Sequence, residues 1–340
     1  MALASANRPY EVSNQWKQIS GLNTARNNDQ PAPRSGAHSL SFENSIFLFG
    51  GYTRKGGIYF NDLTEFKTIQ RKWVNLNPQN APQPRTDHSF VRYFNQFYVY
   101  GGRDETHIFS DMHCYQIGTN RWCTVESRKV EEGSEEHAQL VHSGQIPANF
   151  VLLAEPKIRF GHTAVINKHH MYIFGGWDGQ MTLSDLSVFD LNLKIWMRPA
   201  QLKGEIEGRY RHTACATQHA MYVFGGINLA LKRFNDIHEF VFESQTWTRC
   251  ISLDVSPTSR TFHQAVILND QWLFVFGGFD GMKRNDLYRT RVVPSEGLGL
   301  PSSALANDNG GPLRADQSSL VEPQVALADG QALVPRLGGA

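Results

Sequence analysis

The chain has 340 residues, 41% hydrophobic and 19% charged, which supplies a sizeable apolar core and is ordinary for a globular protein. Its 33 basic and 32 acidic residues leave a net charge of +1, so no global field draws it to nucleic acid or an anionic membrane, and neither is expected as a partner. Aromatics at 11% and 29 glycines favour short strands and tight turns over helices.

The opening residues, "MALASANRPYEVSNQW", lack the apolar core of a secretory signal, and no run approaches the ~20 apolar residues that span a bilayer. The expected location is intracellular, cytoplasmic rather than nuclear. Residues 1–8 read as a flexible N-terminus. Cys114, Cys123, Cys215 and Cys250 form no Cys-x-x-Cys pair, so they read as reduced thiols rather than zinc ligands or a disulfide framework.

From residue 9 onward the chain repeats itself. Apolar runs ending in Gly-Gly recur as "IFLFGG", "FYVYGG", "MYIFGG", "MYVFGG" and "LFVFGG", with first glycines at Gly50, Gly101, Gly175, Gly225 and Gly277. The intervals are 51, 74, 50 and 52 residues, near the ~50-residue period of a propeller blade. Arg34, Arg85, Arg159 and Arg209 each precede their glycine by 16 residues, and Arg260 precedes its own by 17. Downstream come Asp62, Asp111, Asp185, Asp236 and Asp286, read as turn and strand-entry residues. Eleven residues after the first four of these stand Trp73, Trp122, Trp196 and Trp247, read as packing wedges between neighbouring units. Each copy divides into two pairs of short β-rich runs about polar turns, four strands per repeat, and the glycines let neighbouring groups approach closely.

The long second interval holds about 24 extra residues near 127–150, too few for another blade. The fifth copy lacks the tryptophan expected 11 residues after Asp286, whereas "NQWKQIS" around Trp16 supplies such a strand with no copy before it. The expectation is therefore five blades over residues 9–293, the N-terminal strand completing the last one. Residues 294–340 contain no aromatic residue and read as a disordered tail.

These residues resemble the kelch repeat family: Gly-Gly after an apolar run, an aromatic at Phe66, Tyr115, Phe189 or Phe240, and the spaced tryptophan. The resemblance implies an all-β, kelch-type β-propeller acting as a protein-interaction module, a recognition subunit, scaffold or substrate adaptor. It is not expected to be an enzyme. The alternatives are a kelch-scaffold enzyme acting on a small molecule and an actin or cytoskeletal binder.

In a four-stranded antiparallel blade, the second-to-third turns share a face with the links between blades. The segments that vary in length, glycine to aspartate and tryptophan to arginine, belong to that face, where variation suits binding. It holds Arg54, Lys55, Arg103, Lys232, Arg233, Lys283 and Arg284, with the aromatics Tyr52, Trp177 and Phe279 just after the glycines. Such a mixture suits a protein or peptide partner of acidic character. The resemblance adds Arg211 and again marks Arg54, at places where kelch adaptors receive acidic side chains. The acidic run "EEGSEE" is a candidate cover for these loops. His38, His88, His162, His212 and His263 recur beside the arginines and are read as packing residues rather than ligands; no metal or cofactor is expected.

Overall fold

In a computed structural model, residues 30–251 and 256–292 are described here. The expectations for residues 1–8, for the strand around Trp16 and for the tail at 294–340 lie outside them. Blade I is made of His38–Phe42, Ser45–Phe49, Leu63–Lys67 and Lys72–Asn75, antiparallel and hydrogen-bonded in that order. Blade II repeats the plan with Ser89–Tyr93, Gln96–Tyr100, Met112–Gln116 and Arg121–Thr124. Blade III runs Thr163–Asn167, His170–Phe174, Leu186–Asp190, Ile195–Pro199, and blade IV runs Thr213–Ala216, Ala220–Phe224, Ile237–Val241, Thr246–Cys250. Blade V has three described strands, Gln264–Leu268, Trp272–Phe279 and Lys283–Arg291. The first strand of every blade lines a central channel. The fold is a five-bladed β-propeller.

Alternation along the second strands builds the core. Within each apolar run the first and third residues face the preceding blade, and the second and fourth face the following one. Phe47 and Phe49 of blade I thus meet Phe97, Val99 and Trp122 of blade II, while Tyr98 and Tyr100 meet Met171, Ile173 and Trp196. Tyr172 and Phe174 meet Met221, Val223 and Trp247, and Tyr222 and Phe224 meet Leu273 and Val275. Each repeated tryptophan pairs in register with the aromatic of its own third strand, as in Phe189 opposite Trp196. From blade II onward its indole also packs on the preceding blade, Trp122 on Phe49 at 4.9 Å, Trp196 on Tyr100 at 5.3 Å and Trp247 on Phe174 at 5.0 Å.

Among the described residues, none of these clusters joins blade V to blade I. The faces that would meet there are open: Ile46 is 40% exposed, and Val266 is 50% exposed where its counterpart Val165 is 7%.

The glycines and histidines make the joints between blades. A Cβ on Gly101 would lie 2.8 Å from the Arg159 carbonyl oxygen and 2.9 Å from the His162 ring, and the residue sits at φ +62°. The same close approach recurs at Gly50, Gly175 and Gly225. Gly101→Ala is expected to destabilise the fold by about 2–4 kcal/mol, through strain at positive φ and overpacking, measured by denaturant unfolding.

The recurring aspartates do more than enter strands. Each receives a two-pronged ion pair from the arginine of its own blade, as Arg159 Nη1 and Nη2 donate to Asp185 at 3.0 and 2.8 Å. The same Nη1 donates to the Gly175 carbonyl at 3.0 Å, and Nε to that of Lys157. Arg34–Asp62, Arg85–Asp111, Arg209–Asp236 and Arg260–Asp286 repeat the arrangement. Phe60, Phe109 and Phe234 cover three of these guanidinium groups at 3.8–4.2 Å.

The insertion forms a helix, Glu135–His142, and a short strand, Phe150–Leu152, which adds a fifth, outermost strand to blade III. Leu140, Ile146 and Phe150 pack into the core between blades III and IV. Glu136 of the acidic run is paired with Arg128 beside it. The insertion is thus an outer buttress rather than a cover over the basic loops.

Candidate protein-binding face

Two residues after each blade arginine, the backbone turns left-handed at the channel mouth. Gly36, Asp87, Gly161, Arg211 and Phe262 have φ between +54° and +65°. Glycine adopts this freely, whereas Asp, Arg and Phe hold it at a cost of ~1 kcal/mol or more each, strain of a kind that collects at functional sites. Backbone hydrogen bonds link four of them head to tail: Asp87 N–H to Gly36 O at 3.0 Å, then Gly161 N–H to Asp87 O and Arg211 N–H to Gly161 O, both at 2.7 Å. All five line a channel cavity of about 670 Å³.

The residue after each Gly-Gly is bridged to the residue that follows the arginine of its own blade, which brings the second-to-third loops to this mouth: Tyr52 to Ser35, Arg103 to Thr86, Trp177 to Phe160, Phe279 to Thr261. The loops hold their own shape. Asp104 accepts from the Thr106 and His107 amides at 2.8 and 2.7 Å, and Asp178 accepts from those of Gln180 and Met181 at 2.9 and 2.8 Å. Burial raises both carboxyl pKa values, but the hydrogen bonds from His107 and Thr106, and from Met181 and Gln180, outweigh it and leave both below the ordinary value.

One carboxylate stands between two arginines here. An Asp87 oxygen lies 3.3 Å from Arg211 Nη2 and 3.6 Å from Arg103 Nε. Aromatic rings extend the pair around the mouth: Arg103 over Phe160 at 4.9 Å, Phe160 against Trp177 at 5.2 Å, Trp177 against Tyr210 at 5.9 Å. Arg211 lies over Phe262 at 4.4 Å, and Arg233 over Phe279 at 5.3 Å. Nε of Arg103, Arg211 and Arg233 and the Trp177 indole N–H are buried donors with no hydrogen-bond acceptor among the described residues. Beyond them, the loop tips expose Ile58, Met181, Leu229, Leu231 and Met282.

The KLHDC2/KLHL20/DRC7 Kelch-repeats domain pattern matches residues 10–150 and 151–296 of this sequence. The chain belongs to the kelch-repeat family. It is 28% identical over 278 residues to the Leucine-zipper-like transcriptional regulator 1 homolog of Drosophila melanogaster, covering 76% of this chain and 26% of that protein. Protein ral2 of Schizosaccharomyces pombe is 22% identical over 204 residues, 57% of this chain and 33% of its own length. Human Kelch domain-containing protein 10 is 26% identical over 160 residues, 45% of this chain and 31% of its own. The chain thus spans no more than a third of any of these three relatives. Kelch propellers are generally protein-interaction modules. Among the described residues, no helix is long and apolar enough to cross a membrane.

On this kelch face the expected residues fall into three groups. Arg103, Trp177, Arg211, Arg233 and Phe279 belong to the belt of cations and rings at the mouth. Tyr52 lies against Tyr59 at 4.7 Å on blade I, and Arg54, Lys55 and Lys283 are exposed. Lys232 and Arg284 are engaged internally, with Glu207 at 2.5 Å and Asp280 at 2.8 Å. The Lys232 hydrogen bond lowers the Glu207 pKa, and that of Arg284 holds Asp280 well below the carboxylate range. Asp87, Phe160, Tyr210, Tyr59 and Phe262 were not singled out from the sequence. Four of these, Asp87, Phe160, Tyr210 and Phe262, and also Arg211, occupy the two positions after the blade arginine, which hold a different pair of side chains in every copy.

The histidines stay in the joints. His212 Nε2 is 2.8 Å from Thr163 Oγ1, and His263 Nε2 is 2.9 Å from Thr213 Oγ1, each contact crossing to the preceding blade. His169 and His170 lie 3.5 and 3.4 Å from one oxygen of Asp190, whose other oxygen accepts from the Asn192 and Leu193 amides in a turn of blade III.

Proposed function

We propose that this kelch propeller is a recognition subunit or scaffold that receives an acidic segment of a protein partner at the channel mouth. The observation that carries this reading is that, at this mouth, Nε of Arg103, Arg211 and Arg233 and the Trp177 indole N–H are buried donors with no hydrogen-bond acceptor among the described residues. Buried donors left unmade are costly, so a ligand carboxylate that satisfies them gains more than one meeting solvated lysines. Asp87 acts as an internal stand-in: it holds the two arginines apart and ready, at 3.3 and 3.6 Å, longer than the 2.7–2.9 Å typical of a strong charged hydrogen bond. The rings and the apolar loop tips give the neighbouring side chains of such a segment a place to pack.

A displayed library of random peptides, selected on the intact chain, tests this. Enrichment of sequences with Asp or Glu beside an apolar residue is expected. Arg103→Ala with Arg211→Ala should weaken the selected peptides about 10- to 100-fold. Asp87→Asn should strengthen them several-fold, and Arg71→Ala, on an exposed turn of the opposite face, should leave them unchanged. Peptides insensitive to the double substitution would sink the placement.

A further inference from the structure

On the face opposite the channel mouth, two turns of blade III bring together side chains that no other blade holds there. His169 and His170 close the turn between the first and second strands, and Asp190 ends the third strand, paired in register with His170. The His169 carbonyl accepts from the Leu191 amide at 2.9 Å, which fastens one turn to the other. In the other blades the pair matching His170 and Asp190 is Ser45 with Lys67, Gln96 with Gln116, Ala220 with Val241 and Trp272 with Arg291. The propeller therefore builds these turns without a histidine or a carboxylate, and the cluster needs a reason of its own.

Two of its polar atoms are buried without partners. Asp190 is 1% exposed and His170 7%, yet Asp190 Oδ2 and His170 Nε2 have no hydrogen-bond partner among the described residues. Such atoms are rare in folded proteins and call for a partner. Oδ2 lies 3.4 Å from His170 Nε2 and 3.5 Å from His169 Nε2. The other oxygen, Oδ1, accepts from the Asn192 and Leu193 amides at 2.8 Å each, so the carboxylate is held with Oδ2 turned to the two imidazoles. We propose that His169, His170 and Asp190 bind a zinc ion, with Nε2 of both histidines and Oδ2 of the aspartate as ligands and the fourth position open to water. Zinc takes such ligands at about 2.0–2.2 Å in tetrahedral geometry, which sets neighbouring ligand atoms about 3.3–3.5 Å apart. Both distances to Asp190 already match that spacing, and both are longer than a direct hydrogen bond between imidazole and carboxylate. The ligand atoms of the three residues all lie within 4.8 Å of one another, and His169, the more exposed histidine, has room to turn its ring and close the last edge. Two imidazoles and one carboxylate suit zinc rather than magnesium or calcium, which prefer oxygen alone. Phe150 of the insertion lies against the His170 ring at 5.5 Å and helps to bury it. An ion here satisfies both orphaned atoms at once and clamps the two turns of blade III together.

Calorimetric titration of the full chain with zinc sulfate at neutral pH tests this. One zinc per chain is expected. His169→Gln and Asp190→Asn should each weaken that site at least tenfold, whereas His107→Asn, exposed on the mouth face, should leave it unchanged. The aspartate substitution keeps an oxygen acceptor for the Asn192 and Leu193 amides, so the turn is retained. Zinc should also raise the melting temperature of the unsubstituted chain and not that of His169→Gln. If Asp190→Asn loses its circular dichroism spectrum, His169→Gln, which changes a part-exposed ring, decides alone. Absence of a one-to-one site, or a site that either folded variant weakens less than tenfold, overturns the proposal.

Discussion

Lowering the pH below about 6.5 is expected to unfold the propeller with a midpoint near pH 5, before most carboxylates titrate. His38, His88, His162, His212 and His263 sit in or beside the blade joints, and burial lowers the pKa of each; for His263 it falls to about 4. Neighbouring positive charges add to this, Arg85 at His88, Arg159 at His162 and Arg209 at His212. A group whose folded pKa is depressed contributes its full stability above the unfolded value, here 6.5, and loses it as pH falls toward the folded value. Each histidine that is protonated only in the unfolded chain costs ~1.4 kcal/mol per pH unit, so five together cost ~7 kcal/mol per unit. That is comparable to the whole stability of an ordinary domain. The carboxylates act in the same direction but later. Burial raises the pKa values of Asp111 and Asp236, yet hydrogen bonds from Arg85 and Arg209 bring them below the ordinary value, so their contribution fades only below about pH 4. A circular dichroism titration with a midpoint below about pH 3.5 would refute the histidine account. Replacing His212 with Asn should reduce the steepness by about one proton.

Asp185→Ala is the second large expected loss. It leaves the Arg159 guanidinium, 0% exposed, with two carbonyl oxygens and no counter-charge. Asp185 is itself 46% exposed, so solvent partly screens the stranded charge, and the expected loss is ~2–3 kcal/mol, roughly 5–10 °C in melting temperature for a domain of this size. Arg159→Ala should cost a similar amount for a different reason, since the Gly175 carbonyl at the end of the second strand loses its donor. A double-mutant cycle should therefore be strongly non-additive, with the double variant less destabilised than the two losses summed. Additive losses would mean that the arginine and aspartate act independently, against the two-pronged geometry.

The spacing of Arg, Gly-Gly, Asp and Trp made the strands, the four-strand blades and their number legible, because each landmark recurs at a packing contact rather than in a variable loop. The tryptophans as wedges and the glycines as close-approach points followed from side-chain size alone. The arginine–aspartate pair was harder to see. Its partners stand 26 to 28 residues apart across a loop whose length changes from copy to copy, so no fixed spacing connects them. Their equal number and opposite charge were the only trace. The insertion was legible as too short for a blade, but its place depends on an exposed edge at Ile195–Pro199 that exists only after blade III has folded. At the mouth, the sequence marked the residues after the glycines, whereas Asp87 and Phe262 owe their position to a left-handed turn that resembles no glycine-rich signal.

That turn separates shape from chemistry. The chain path is the same at positions 36, 87, 161, 211 and 262, yet the occupants are Gly, Asp, Gly, Arg and Phe. A scaffold with approximate rotational symmetry therefore presents an unsymmetrical pattern of size and charge, and a ligand entering the axis is given one preferred azimuth. Exchanging side chains within this column can change what is bound, or how it is turned, while the blades beneath keep the same contacts.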